Sequence, residues 1–404
     1  MTADLTAPQR SPWRGPAGPL AVFAFLAVLV PILSQRGQVL VFSLAGLVAL
    51  VIHVRQHRLL WPAWRDSRFL RVGVVYVVWG LLSVIWSLDL RTSLGQGLEL
   101  VGALFAFGVM MPVAAELSTV ERRLVGMACV VGVLVNALVL LVDGYGGMPL
   151  QSLVRHGDPH PPAHMLNKAL VTMALMVWPA ALHLWQLGRR GCATLLLCAM
   201  TVVVGPLDSR TAALALVTGL LAALITRFTS RLALGVLAVC LVAGALSMPY
   251  VVEPMKAWFL AHMDMTTWWS AHHRLYIWSF VLDRMAERPF LGWGLEASRV
   301  MPDFGWIPWP GQDRMIPLHP HNEFLQVWME LGPLGLGLLL AGLLVPLRNA
   351  LACAPGQRIF IAGAWTTTVV AMLPGYGAGQ AWWLFTVLGL GVLFRAVLIA
   401  EDKT

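Results

Sequence analysis

The stretch His319-Pro320-His321-Asn322-Glu323 leads into a strongly apolar segment, and its residue types are those of proton transfer and anion recognition. Pro320 keeps His319 extended, so a helix is expected to begin near His321 or Asn322. Asn322 suits the N-cap and Glu323 the first turn. The positive end of the helix dipole disfavours an imidazolium at His321, which leaves a neutral imidazole able to act as a general base. The alternative is that both histidines hydrate the end of an interfacial helix. A zinc site would use His319 and His321 with a glutamate, but no HExxH motif is present and no cysteine joins them. Neither a metal nor another cofactor is expected.

Cations supply the complementary chemistry. In "PLDSRTAALAL", residues 206–216, Asp208 and Ser209 read as caps and Arg210 stands at a helix N-terminus. The dipole disfavours a cation there, and an anionic ligand such as a phosphate would resolve the conflict. A surface pair with Asp208 or a lipid headgroup contact is the alternative. Arg274 opens "RLYIWSFVLDRMAERPFLGWG", whose Leu275, Trp278, Leu282 and Met285 share one helical stripe, ended by Pro289, Gly292 and Gly294. Arg284, Arg288 and Arg299 follow, with Asp283, Glu287 and Glu296 as local salt-bridge partners. Lys168 stands just inside a further apolar run, where a lysine calls for a partner or pathway unless it snorkels to the surface.

These residues must be held by a membrane fold. Of 404 residues, 58% are hydrophobic and 12% charged, against roughly 45–50% and about 25% in soluble domains. About twelve apolar runs approach the bilayer-spanning length of about 20 residues. They lie near 16–34, 38–54, 69–88, 94–115, 124–142, 164–187, 191–207, 211–227, 232–250, 322–347, 358–375 and 380–399. The expected fold is all-α: one polytopic transmembrane domain over 1–404, with a long helical loop at 251–320 between the ninth and tenth spans. Cys129, Cys192, Cys198, Cys240 and Cys353 form no zinc or extracellular disulfide pattern.

The net charge of +8 is dispersed in short clusters between apolar runs, a pattern of topology and not of nucleic-acid binding. One set of loops holds Arg10, Arg14, Arg55, Arg58, Arg65, Arg68, Arg122, Arg123, Arg189, Arg190, Arg227, Arg231, Arg348 and Arg358. The other short loops hold Arg36, Arg91, Arg155 and Arg210. The positive-inside rule then puts both termini in the cytoplasm and the 251–320 loop outside. That loop carries Trp258, Trp268, Trp269, Trp278, Trp293, Trp306 and Trp309. They read either as an aromatic belt at headgroup level or as faces on which sugars stack. Its amphipathic helix reads as one lying at the outer membrane surface. A base and fixed cations on one outer, aromatic-rich face suit group transfer from a lipid-linked diphosphate.

Four stretches carry a family resemblance. "HPHNEFLQVWMELGPLGLGL" resembles the signature of the O-antigen ligase and polymerase superfamily, and "HRLYIWSFVLDRMAERPFLGWG" its arginine, tryptophan and Pro-x-x-Gly-x-Gly stretch. "LDSRTA" resembles its Ser-Arg motif opening a span. "MLNKALVTMALMVWPA" resembles its asparagine-led span ending in Trp-Pro, with Lys168 where arginine is expected, so that charge is kept and a bidentate fork lost. The resemblance implies an inverting, metal-independent glycosyltransferase at the periplasmic face of a bacterial inner membrane. Its donor would be an undecaprenyl-diphosphate-linked glycan and its acceptor lipid A–core, with membrane lipids around it and no nucleic acid. By that analogy His321 activates the acceptor hydroxyl and Arg210 and Arg274 hold the diphosphate. His319, Asn322, Lys168 and Arg288 complete the expected substrate-binding set. A polymerase extending the lipid-linked glycan is the alternative, and a lipid-linked sugar transporter a more distant one.

Overall fold

The structure, a computed structural model, describes residues 12–34, 36–56, 61–154, 163–207, 209–303 and 314–399. Its helices run in the order α1 (Ala17–Leu33), α2 (Gly37–Arg55), α3 (Trp61–Asp66), α4 (Arg68–Ser83), α5 (Leu90–Ala115), α6 (Thr119–Tyr145), α7 (Pro149–Val154) and α8 (Asn167–Gln186). They continue with α9 (Arg190–Val204), α10 (Arg210–Thr229), α11 (Arg231–His262), α12 (Trp269–Glu287), α13 (Glu323–Ala350), α14 (Pro355–Met372) and α15 (Ala381–Val397). No strand occurs among the described residues, and the chain is an all-α polytopic membrane protein.

Each of the twelve apolar runs falls on a helix. Among the described residues, 8 helices are long and apolar enough to cross a bilayer. Helices α1, α9 and α15 have 17, 15 and 17 residues, short of the roughly 20 a span needs. The chain leaves α1 for extended backbone at Ser34 and α9 for a tighter turn at Gly205.

Two compact units are distinguished by their internal packing: Met1–Ala63, Ala106–Asp208 and Leu388–Thr404 form the first, Trp64–Phe105 and Ser209–Val387 the second. In the first, α8 is buried along almost its whole length, as befits a helix apolar on every side, and α1, α6 and α9 pack around it. Arg122 closes the end of α15 by donating to the carbonyls of Arg395, Ala396 and Leu398.

In the second unit, α10 buries Ala212, Ala215, Gly219, Ala222, Ala223 and Thr226 along one face. Small residues at that spacing let two backbones approach closely, and α14 answers with Gly363, Ala364, Thr367 and Ala371. The pair is antiparallel. Arg358 of α14 donates to Ser230 beyond the end of α10 at 2.9 Å. At the opposite end Gly375 packs on Thr211, where an added Cβ would lie 3.2 Å from Thr211 Cγ2. Arg210 therefore stands beside the turn that follows α14.

Helix α11 continues to His262, so the first dozen residues of the expected 251–320 loop are helical continuation of the ninth apolar run. Asp264 then gathers the Thr266 hydroxyl and the Thr267 backbone N–H and hydroxyl, and this local turn starts α12 at Trp269. Arg274 thus sits in the second turn of α12 and not at its start. The α12 stripe is not presented to a membrane surface alone. Ile277, Val281 and Met285 are buried against Val252 of α11 and Leu325 and Met329 of α13.

Helix α13 is broken at Gly332, whose φ of 67° and ψ of −171° interrupt the ladder before Pro333. Orphaned carbonyls in an apolar setting cost several kcal/mol each unless satisfied. The carbonyl of Met329 accepts from Trp293 N at 3.0 Å and that of Glu330 from Gly294 N at 2.8 Å. The Leu331 carbonyl accepts from the Trp79 indole of α4 at 2.9 Å. The Pro-x-x-Gly-x-Gly stretch is thus a cap for the broken helix. A Cβ on Gly332 would lie 2.0 Å from Phe290 O, whereas one on Gly337, in the same helix, would meet nothing within 4 Å. Gly332→Ala should lower stability by at least about 1–3 kcal/mol from backbone strain alone, read as a lower unfolding temperature in detergent. Gly337→Ala should leave it unchanged or slightly raised, and equal behaviour of the two variants would contradict this account of the break.

Candidate active site

The histidine pair is built by the start of α13. Asn322 is the N-cap, and its Oδ1 accepts from Leu325 N at 3.1 Å. Its Nδ2 faces Met248 Sδ at 3.6 Å, and the residue is 0% exposed. Asn322 therefore acts by fixing the helix mouth, not by offering its amide to a ligand. Capping leaves His321 just outside the helix with φ at +58°, a left-handed conformation that few non-glycine residues adopt. The bend brings His321 N within 3.1 Å of His319 Nδ1, and the two ring centroids lie 4.2 Å apart. Glu323, first in α13, is buried.

His321 Nδ1 lies 2.9 Å from the carbonyl oxygen of Gly375. A carbonyl only accepts, so Nδ1 carries the proton and Nε2 keeps the lone pair. Burial, the Arg274 cation and His273 push the imidazole down to about 4, against the opposing pull of the Gly375 hydrogen bond. At neutral pH that gap of about three units favours the neutral ring by roughly 4 kcal/mol. This downward shift favours the neutral imidazole. Its main cause is burial beside a cation, with the helix dipole as an addition.

Arg274 is largely buried, and its Nε has no hydrogen-bond partner. A buried guanidinium in that state is costly unless an anion joins it. Besides His321, its charge acts on the Tyr376 phenol, which burial raises above its usual value. Arg210 is exposed at the first position of α10, with its guanidinium 5.0 Å from the Trp268 ring centroid. Ser209 holds the N-cap position, but its side chain makes no capping bond. The chain thus links the two cations through Trp268, which immediately precedes α12. Trp278, one turn beyond Arg274, donates from its indole to Pro320 O at 2.9 Å and ties α12 to the histidine segment.

The remaining expected residues divide. Arg284 pairs with Glu287 and Arg299 with Glu296, as their local partners suggest. Arg288 instead lies 4.1 Å from the Trp293 ring centroid, at the end of α12. Lys168 is the second residue of α8 and belongs to the first unit, whereas Arg210, Arg274, Arg288, His319, His321 and Asn322 all belong to the second. Asp208, Arg155, Trp306 and Trp309 lie outside the described residues.

One element of the site went unread in the sequence: "PGYGAGQ", residues 374–380, joining α14 to α15. Gly375 presents its carbonyl to His321 and its α-carbon to Thr211. A Cβ on Gly377 would lie 2.6 Å from His319 Cβ, and Ala378 N donates to Gln326 Oε1 at 3.0 Å. The carbonyl of Gly379 accepts from Arg299. Three alternate glycines between two apolar runs were the signal available, since such spacing marks close backbone approach.

A family model described as O-Antigen ligase matches residues 193–340. A protein of Rickettsia conorii named "Putative polysaccharide ligase" is 25% identical over 340 residues, which cover 82% of this chain and 80% of the relative. Proteins of the same name from Rickettsia prowazekii and Rickettsia typhi are 26% and 25% identical over 256 residues, 62% of this chain and 62% of each relative. The matched segment spans Arg210, the whole of α12, Gly292 and Gly294, and the histidine cluster, but not the 374–380 stretch. Residues 193–340 are thus similar to the O-antigen ligase family, in line with the resemblance borne by three of the four motifs, which lie within that segment.

Proposed function

We propose that the protein is an inverting, metal-independent glycosyltransferase of the O-antigen ligase type. It moves a glycan from undecaprenyl diphosphate to a sugar hydroxyl of lipid A–core. The observation that carries this reading is the His321 ring: Nδ1 held by the Gly375 carbonyl, Nε2 free to accept a proton, and the underpartnered Arg274 beside it. Arg210 and Arg274 bind the diphosphate by charge-assisted hydrogen bonds and stabilise it as it departs. Arg288, on the face of Trp293, is a secondary contact to the lipid-linked glycan, while His319 and Asn322 hold His321 in place. The acceptor oxygen attacks the anomeric carbon, and the bond from that carbon to phosphate breaks. The hydroxyl proton passes to His321 Nε2, undecaprenyl diphosphate leaves as the anion, and the anomeric centre inverts.

The setting follows from the arginines. The arginine-rich loops support a setting in the inner membrane with both chain termini in the cytoplasm. The site opens to the periplasm.

Purified full-length protein in detergent should join glycan from undecaprenyl diphosphate to lipid A–core with chelator present. His321→Ala should lower the rate at least about 100-fold, the low end for loss of a general base. Lengthened polyprenyl-linked glycan in place of a core-linked product would assign the polymerase activity instead. Full transfer by the His321→Ala variant would remove the base from the mechanism.

The pH dependence has a definite sign. Diphosphate at Arg274 offsets the cation that holds His321 down, so donor binding raises the imidazole toward the range where a base is effective. Rate falls as pH falls through the imidazole's value. The acid limb of kcat/KM, which reports the free enzyme, should therefore lie near pH 4, and that of kcat at higher pH. Coincident limbs near the ordinary histidine value would contradict the coupling.

A further inference from the structure

Away from the histidine pair, the second unit contains a cavity of about 380 Å³. The first turns of α5 supply Arg91, Thr92, Gln96 and Glu99 to its wall, and the short 3-10 turn at 297–299 that follows α12 supplies Glu296 and Arg299. Gln96 is 7% exposed, and its Nε2 has no hydrogen-bond partner. Glu296 is 2% exposed; one carboxylate oxygen is held by Arg299 and the other, Oε1, is unpartnered. Glu99 also keeps an unpartnered Oε1. Buried polar atoms are satisfied in the great majority of cases, so three orphans lining one cavity point to a ligand.

The mixture of groups identifies the ligand's chemistry. A cation would face Arg91 and Arg299, and an anion would face Glu99 and Glu296. A hydroxyl both donates and accepts, and only a hydroxyl-rich molecule uses the amide, the carboxylates and the guanidinium together. Burial and the neighbouring Glu330 carboxylate push Glu296 upward, which lets that group donate as well as accept. The cavity is also joined to the base. Gly375 O receives His321 Nδ1, and Gly379 O receives Arg299 Nη2 at 3.4 Å. Four residues of chain span at most about 14 Å, so a single glycan can reach both.

We propose that this cavity is a sugar-binding subsite, in which Gln96, Glu99, Glu296 and Arg299 hold a ring of the transferred glycan or of its acceptor. The subsite rests on the glycosyl-transfer reading and extends it to glycan recognition. Full-length Gln96→Leu and Glu99→Leu proteins are compared with the unmodified protein in the transfer assay, with undecaprenyl-diphosphate glycan and lipid A–core varied separately. The expected result is a rise of about tenfold in one KM, the order of a lost hydrogen bond, with kcat within about twofold. The substrate whose KM moves identifies the ring's source. Because Gln96 leaves a buried donor unpaired, Gln96→Leu should unfold at the same or a higher temperature, which separates lost recognition from lost folding. Normal transfer with both KM values unchanged in both variants would overturn the subsite while leaving the transfer reading intact. Failure of the unmodified protein to transfer glycan to either acceptor would overturn both.

Discussion

The hydrogen bond from His321 Nδ1 to the Gly375 carbonyl is the contact on which the site depends. It decides the tautomer, aims Nε2 and holds the ring where Arg274 keeps it neutral. Three separate constructions must agree for it to form. The Asn322 cap must place His321 outside α13 in its left-handed conformation. Close packing of small residues between α10 and α14 must bring Thr211 to Gly375. The 374–380 stretch must then pass between these elements, and side chains at 375 or 377 would collide with their neighbours.

The broken α13 serves the same end. A continuous helix satisfies its own backbone and has no use for a cap. By releasing the carbonyls of Met329, Glu330 and Leu331, the break creates acceptors that draw the 290–295 stretch and the Trp79 indole onto α13. The Glu330 side chain extends this grip by accepting from Glu296 N, Ser298 N, the Ser298 hydroxyl and Gln326 Nε2. Gln326 in turn accepts from Ala378 N. A buried carboxylate with a full set of donors is rigid, and rigidity is what a site built from loops requires. The polar groups gathered on Glu330 thus act as scaffold, while Arg274 Nε and the Gln96 cavity are among the places that keep unpartnered polar atoms.

Local signals were legible in the sequence, and long-range ones were not. Apolar runs located every long helix but α12, because bilayer thickness imposes a length that composition reveals, and α12 was read instead from its amphipathic stripe. Asn322 was legible as a cap because capping involves only four consecutive residues, and Arg210 because a cation at a helix start breaks a local rule. Arg274 was placed one turn too early, since the Asp264 turn that starts α12 lies outside the motif. The partners of Trp79, Trp278 and Gly375 are 252, 42 and 54 residues away in the chain. No periodicity encodes such pairings. The glycines at 375, 377 and 379 betray close approach without saying to what.

The proposed mechanism requires a diphosphate between Arg210 and Arg274, against the Nε2 face of His321. A cryo-electron microscopy map of the full-length protein with undecaprenyl diphosphate tests it most directly. The account predicts density for both phosphorus atoms within hydrogen-bonding reach of the two guanidinium groups, with the His321 ring still donating to Gly375. Diphosphate bound away from both arginines, or a His321 ring turned from the Gly375 carbonyl in the complex, would contradict it.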